Sequence, residues 1–325
     1  MMTEPIVDVH LTPVEARLAL RAEARAGLTA RPKWLSPKWF YDAVGSELFE
    51  EITRLPEYYP TRAEREILTE RAAEIAETTG AHALVELGSG SSEKTRLLLD
   101  ALRRYGTLRE FVPLDVSATA LNEAAAAIMA DYPGLRVHGV VGDFTEHLDL
   151  LPGEAPRLVA FLGGTIGNLI PAEREKFFTG VRDVLDAGEW LLLGTDLVKD
   201  PDVLVRAYDD AQGVTAQFNR NVLTVLNREL GGDIDVSAFR HVALWNAEQE
   251  WIEMRLRAER PVRARLAELD LEVEFAEGEE LRTEVSAKFR EDRVRAELKE
   301  AGFELHRWWT DAAGRFALSL ARAVG

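Results

Sequence analysis

The chain has 325 residues, a formal charge of −17 and no cysteine. That length holds one large domain or two modest ones with a substantial core. The acidic balance argues against a nucleic-acid or anionic-membrane partner, and the lack of cysteine excludes disulfides, thiolate metal sites and a cysteine nucleophile.

The first thirty residues carry scattered charges and no apolar core, and no apolar run approaches the roughly 18 residues of a membrane span. The expectation is a cytoplasmic enzyme. Residues 13–29 read as an amphipathic helix. An aromatic-rich stretch follows, with Trp34, Trp39, Phe40, Tyr41, Phe49, Tyr58 and Tyr59 broken into short pieces by Pro37, Pro56 and Pro60. A helix is predicted from about Thr61 to Thr79, with Thr61 as N-cap and Glu64 completing a capping box.

A regular alternation begins at Ala83. "ALVELG", "REFVPLDVS", "LRVHGVVGDF", "PRLVAFLGG" and "EWLLLGTDL" read as strands, and the segments between them mostly as helices. Strands that are continuous apolar runs, separated by helices, predict a parallel sheet covered on both faces. The expected fold is α/β, a doubly wound sheet over about 61–197. Residues 201–229 read as one long helical region, "ALWNAEQEWIEMRLRA" as a hairpin, and "LEVEFAEGEELRTEVSAKF" as strand-like. The end reads as two strands around "DAAG". The division expected is 61–197 with 288–325 as one domain, and 13–60 with 198–287 as an inserted or appended lobe.

The corner after the first strand of the alternation is Gly88-Ser89-Gly90-Ser91-Ser92-Glu93. A dinucleotide fingerprint wants a third glycine where Glu93 stands, and a carboxylate there repels a pyrophosphate. A P-loop wants glycine before Lys94 and has Glu93 again. Glu86 precedes the glycines. E-x-G-x-G suits a ligand that approaches the backbone and carries an ammonium, such as S-adenosylmethionine. Asp115 ends the next strand, 27 residues after Gly88, and suits the ribose hydroxyls of either NAD or S-adenosylmethionine. Asp143 and Phe144 at the end of the third strand suit an adenine edge and face. That arrangement, with a terminal antiparallel hairpin, is typical of class I methyltransferases.

The fourth strand ends in "FLGGTIGNL". Its glycines permit close backbone approach, and Asn168 offers both a donor and an acceptor to a polar substrate. The six histidines, His10, His82, His138, His147, His241 and His306, show no metal-ligand spacing, and no metal is expected.

"SPKWFYDAVGSELFEEITRLPEYYPTRAEREIL", "LVELGSGSSEKTRLLLDAL", "FLGGTIGNL", "LLLGTDLVKD", "RAYDDAQGVTAQFNRNVL" and "TEVSAKF" together resemble the histidine Nα-methyltransferases of ergothioneine biosynthesis. The resemblance covers nearly the whole chain after about residue 15. It implies a class I methyltransferase domain with a substrate-binding lobe; separately, the expected state is a monomer. It implies three methyl transfers from S-adenosylmethionine to the α-amine of L-histidine, giving hercynine. It also implies residue roles. Asn168 and Tyr208 would bind the histidine carboxylate with Tyr58 close by, and Glu284 and Ser286 the imidazole. Tyr41 would lie near the amine, and Phe49 and Met254 would line the pocket. Gly88, Lys94, Asp115, Asp143 and Phe144 would hold the cofactor, with Gly163 near the methyl. The other readings of these residues are plainer: core aromatics for Tyr41, Phe49 and Tyr58, gap-filling for Met254, and a solvated charge for Glu284. The rival functions are a methyltransferase for a different small amine and a catalytically silent S-adenosylmethionine-binding module.

Overall fold

The computed structural model describes residues 5–90 and 92–325. In chain order the elements begin β1 (Ile6–Val9), α1 (Pro13–Thr29), β2 (Lys33–Trp34), α2 (Ala43–Ile52), α3 (Pro60–Thr79), β3 (Ala83–Leu87), α4 (Thr95–Tyr105) and β4 (Glu110–Asp115). Next are α5 (Ala118–Asp131), β5 (Arg136–Val141), β6 (Arg157–Phe161), α6 (Pro171–Val184), β7 (Trp190–Asp196), α7 (Pro201–Tyr208) and α8 (Val214–Leu230). The chain closes with β8 (Phe239–Asn246), β9 (Trp251–Ala258), β10 (Val262–Leu266), β11 (Leu271–Phe275), β12 (Glu280–Ala287), α9 (Glu291–Glu300), β13 (Phe303–Thr310) and β14 (Phe316–Ala323). These elements form two compact units, Met1–Thr12 with Arg62–Leu197 and Phe289–Gly325, and Pro13–Thr61 with Val198–Lys288.

The first unit is built on an eight-stranded sheet in the order β1-β5-β4-β3-β6-β7-β14-β13. Strands β3 to β7 run parallel, and every residue of β3 and β7 is buried, as their apolar runs require. The chain ends in an antiparallel hairpin, β13–β14, with β14 antiparallel to β7. The turn that joins the hairpin is organised by Asp311, whose carboxylate accepts from the amides of Arg315 (2.6 Å) and Phe316 (2.8 Å). One strand escapes sequence reading: β1 adds to the sheet edge parallel to β5, four residues long and partly exposed.

The second unit centres on a four-stranded sheet, β2-β12-β9-β8, beside the β10–β11 hairpin. Leu204, Tyr208, Phe218, Val222 and Leu226 of α7 and α8 share its core with Ile252, Met254, Leu256 and Leu281 of the sheet. The helical region 201–229 is two helices rather than one. Gly213 takes φ +73° between them, and the Asp210 carboxylate receives the amides of Val214 (3.0 Å) and Thr215 (2.7 Å). A side chain that satisfies amides at a new helix start ends the previous helix. "LEVEFAEGEELRTEVSAKF" likewise is two strands in different sheets, split at Gly278 with φ +81°.

The capping-box expectation for the helix at Thr61 is corrected. The helix α3 begins at Pro60, and Glu64 is fully buried, its carboxylate turned to the amide of Gly163 (2.8 Å) and to Lys94.

Candidate functional site

In the first unit, the site-forming residues lie where chain leaves the C-terminal ends of the parallel strands, the usual ligand position of an open α/β sheet. Gly88 and Gly90 follow β3 with φ of +68° and +48°, a region that glycine enters without penalty. A Cβ on either would meet nothing within 4 Å, so the backbone of this corner is open to an approaching group. The amides of Gly88 and Ser89 donate to the carbonyl of Leu114 at 2.8 and 3.1 Å. The hydroxyl of Ser89 is buried and has no hydrogen-bond partner among the described residues. Ser91, in the middle of the corner, lies outside the described residues. An open glycine cradle with an orphaned hydroxyl beside it leaves room for a polar ligand to approach the backbone, as the amino-acid end of S-adenosylmethionine would.

Two carboxylates fix that corner. Asp115 accepts from the amides of Gly90 and Ser117, both at 2.9 Å, and burial pushes its pKa up. Glu86 is buried and accepts from the hydroxyls of Ser92 (3.1 Å) and Thr95. Burial raises its pKa to about 7 against those bonds. Both donors belong to the loop and to the first residue of α4, so Glu86 braces the corner from within instead of facing a ligand ammonium. Glu93 is well exposed and pairs with Arg65 at 3.0 Å.

The neighbouring loops complete the set. Asp143 accepts from the amide (2.9 Å) and hydroxyl (2.7 Å) of Thr145, and the Phe144 ring lies 4.9 Å from Phe161 and 5.9 Å from Phe177. Gly163 and Gly164 both take positive φ before the short 3₁₀ turn Thr165–Asn168, which ends on Asn168. Glu64 ties these loops together: it binds the Gly163 amide and pairs with Lys94. A Cβ at Gly194 of β7 would collide with its Oε1. Glycine at 194 is thus the space that the buried Glu64 occupies, a role that the sequence pattern did not reveal.

The second unit gathers its predicted residues in one cluster. The rings of Tyr41, Phe49, Tyr58 and Tyr208 follow one another at 5.5, 6.2 and 6.3 Å, each pair edge to face. Tyr41 is 40% exposed, whereas Tyr58 and Tyr208 are buried. Phe218 of α8 also stands against Tyr41 and Phe49. Glu284 lies opposite Met254 and Ser286 opposite Ile252 in the β12–β9 pairing, so all four share one face. A register shift between Arg282 and Glu284 makes this so. Leu281 is on the same core face, and plain alternation from it would have turned Glu284 and Ser286 away.

Three residues that sequence reading passed over complete the cluster. Lys288, fully buried, donates to Tyr208 Oη (2.9 Å) and Ser286 Oγ (2.8 Å), and its ammonium lies 4.7 Å from the Tyr208 ring centre. Tyr208 Oη and Ser286 Oγ are themselves 2.7 Å apart. Behind Tyr208 stands buried His241. Asn219 accepts from the Thr283 hydroxyl, so its amide nitrogen donates to His241 Nδ1 at 2.8 Å. Nε2 then carries the proton and donates to the Tyr208 carbonyl at 2.7 Å. Burial is the largest influence on His241 and lowers its pKa. The pattern Glu284, Ser286, Lys288 at every second position was the available signal for Lys288.

Among the described residues no group of three or more His, Asp or Glu is placed to hold a metal, and no helix is long and apolar enough to cross a membrane.

A doubly wound parallel sheet closed by an antiparallel hairpin, with an open glycine corner and carboxylates at the next two strand ends, defines a class I S-adenosylmethionine-dependent methyltransferase. A family model described as histidine-specific, S-adenosylmethionine-dependent methyltransferase matches residues 20–323, and the chain belongs to that family. It is 61% identical to the histidine N-alpha-methyltransferase of Mycolicibacterium smegmatis over 96% of this chain and 97% of that one. Identity to the protein of the same name from Mycobacterium tuberculosis is 60%, with the same coverage. Ergothioneine biosynthesis protein 1 of Neurospora crassa is 33% identical over 70% of this chain and 26% of its own length.

Proposed function

We propose that this protein transfers three methyl groups from S-adenosylmethionine to the α-amine of L-histidine, giving hercynine in ergothioneine biosynthesis. The observation that carries the reading is the 61% identity, over nearly the full length of both chains, to an enzyme named for that substrate. The first unit holds the methyl donor in this reading, and the second selects the amino acid.

S-adenosylmethionine supplies an electrophilic methyl group on a sulfonium. Gly88 and Lys94 take the amino-acid end of the cofactor, Asp115 its ribose, Asp143 and Phe144 its adenine, and Gly163 offers close approach beside the methyl. Asn168 and Tyr208 bind the histidine carboxylate, with Tyr58 beside them. Glu284 accepts an imidazole N–H, Ser286 meets the other ring nitrogen, and Met254 and Phe49 close the pocket. The transfer is an in-line displacement, so alignment of the amine is the main demand on the protein. The amine attacks in its neutral form. We assign its proton to water and its orientation to Tyr41. The faces of Tyr58 and Phe49 suit the trimethylated cation, an attraction worth about 0.5–2 kcal/mol. The protein is read as a cytoplasmic monomer that needs no metal and no nucleic acid.

Mass spectrometry after incubation with histidine and S-adenosylmethionine tests the proposal. Sequential gain of three methyl groups on histidine is the expected result. Cofactor binding without methylation of any amino acid supports the silent module, and methylation of tryptophan or tyrosine in preference to histidine supports a different acceptor.

A further inference from the structure

We propose that His241 is a positioning residue for the acceptor's carboxylate: by anchoring the Tyr208 carbonyl it holds the end of α7 from which the Tyr208 side chain meets the ligand. The inference rests on the functional reading above, which gives Tyr208 to that carboxylate, and adds a residue to it.

A backbone carbonyl only accepts, so it fixes the identity of the atom that faces it. The Arg255 carbonyl lies 3.1 Å from one end of the Asn219 side-chain amide, and that end is therefore the nitrogen. The Tyr208 carbonyl lies 2.7 Å from His241 Nε2, which therefore carries a proton. Between these two carbonyls the bonds have one sense. Asn219 Nδ2 gives its second proton to His241 Nδ1 at 2.8 Å, and Asn219 Oδ1 accepts from the Thr283 hydroxyl at 2.6 Å. The arrangement needs a neutral imidazole, and burial favours that form. Both side chains are buried, and both ring nitrogens and both amide protons are committed.

The place where these bonds end decides what they do. Tyr208 is the last residue of α7, where carbonyls have no partner within the helix. The next residue is Asp209, not the glycine that commonly closes a helix, and Asp210 turns its carboxylate forward to the amides of Val214 and Thr215. His241 supplies a donor to that helix end from β8. The Asp209 carboxylate, 3.9 Å from the same nitrogen, is beyond hydrogen-bond reach. The hydroxyl of Tyr208 meets Ser286 and Lys288 at the end of β12, so the two ends of the residue are held from different strands. The hydroxyl keeps its place for a ligand while the carbonyl is pinned. At its other end the chain of bonds reaches Thr283, where the register shift brings Glu284 to the pocket face. Asn219 and His241 thus tie the carboxylate end of the site to its imidazole end.

Two substitutions separate this role from packing. Imidazole Nε2 stands further from the backbone than Nδ1, as the amide of glutamine does relative to that of asparagine. His241→Gln therefore keeps a donor at the Tyr208 carbonyl, whereas His241→Asn keeps a partner for Asn219 and takes the donor from that carbonyl. Calorimetry on the S-adenosylhomocysteine-loaded protein compares L-histidine with L-histidinol, which carries an alcohol in place of the carboxylate. His241→Asn is expected to bind L-histidine about tenfold more weakly and L-histidinol less than about twofold more weakly. His241→Gln is expected to recover most of that loss, with S-adenosylhomocysteine affinity the same in all three proteins. If His241→Asn does not melt cooperatively, His241→Met, which fills the space without a donor, is read in its place. Equal losses for the two ligands, or His241→Gln no better than His241→Asn, reduce His241 to packing and overturn the proposal, as does unchanged L-histidine affinity in His241→Asn. A wild type that binds S-adenosylhomocysteine but not histidine overturns the functional reading itself. One that binds L-histidine no more tightly than L-histidinol removes the carboxylate contact of Tyr208, and the role of His241 with it.

Discussion

The two units prepare their ligand groups by opposite means. In the first, the corner presents backbone: positive-φ glycines with empty space before them, and carboxylates whose oxygens are already committed to amides or hydroxyls of the same loops. In the second, the functional groups are side chains on one sheet face and one helix end, buried and bonded to one another. A backbone cradle tolerates many sequences as long as its few glycines and anchoring carboxylates stand. A side-chain cluster depends on every member, because each fixes the donor or acceptor sense of the next. Substitutions should accordingly act on stability and cofactor affinity in the first unit and on amino-acid affinity in the second.

The largest effect expected is at Lys94. Glu64 is fully buried, and Lys94→Met would leave its carboxylate with the Gly163 amide but no cation. Breaking such a pair from one side costs about 3 kcal/mol or more. Urea denaturation should show that loss, and Glu64→Gln, which keeps an acceptor for Gly163 and buries no charge, should lose less. Equal stability of Lys94→Met and wild type would mean that the pair is not buried in solution. Next comes Glu284→Ala. Removal of a charged acceptor costs about 1.5–3 kcal/mol, so histidine should bind roughly 10- to 100-fold more weakly while S-adenosylhomocysteine affinity stays the same. Calorimetry that showed both ligands weakened alike would erase the division of labour between the units.

The contrast also explains what could be read from sequence. The alternation of apolar runs and helical segments marks the parallel sheet because both faces of each strand are covered, and Gly88, Asp115 and Asp143 then fall at consecutive strand ends. Nothing comparable announces the second unit. Glu284 and Ser286 reach the face of Met254 only because the ladder shifts register at Thr283, a one-residue event invisible to periodicity. The break at Asp210–Gly213 hides in a sequence with good helical spacing on both sides. Lys288 and His241 look like ordinary polar residues until pairing brings them to Tyr208. Glu64 looked like a capping residue because its spacing from Thr61 is right, and burial against Gly194 decided otherwise.

A smaller effect is expected at Asp115. Its carboxylate holds the Gly90 amide through one oxygen and the Ser117 amide through the other. Asparagine keeps one acceptor and loses the charge, so Asp115→Asn should weaken S-adenosylhomocysteine binding by about tenfold, the worth of one good hydrogen bond. Histidine affinity at saturating cofactor should not change. A drop in histidine affinity larger than the drop for cofactor would place Asp115 on the wrong ligand.

The smallest effect sets one buried titratable group of each unit against the other. Burial lowers the pKa of His241 and raises that of Glu86 to about 7. Unfolded, a histidine has a pKa of about 6.5 and binds its proton below that, whereas the folded chain resists protonation. The contribution of His241 is therefore present above about pH 6.5 and is lost as the pH falls from there toward the folded value. Glu86 has the opposite sense: between its ordinary value of 4.5 and about 7 the folded state holds the extra proton, so stability declines as the pH rises through that window. The two oppose each other near pH 5.5, and a single wild-type pH profile will look flatter than either group alone. Substitution separates them. With His241→Gln the acid-side loss should shrink relative to wild type by up to about 1 kcal/mol at pH 5.5, since one proton contributes at most about 1.4 kcal/mol per pH unit. With Glu86→Gln the same profile should tilt the other way, losing its decline toward neutral pH. Parallel urea melts of the three proteins at pH 5.5 and 7.5 read both differences, and a His241→Gln profile parallel to that of wild type would mean that the imidazole behind Tyr208 takes up its proton at the same pH in the folded as in the unfolded chain.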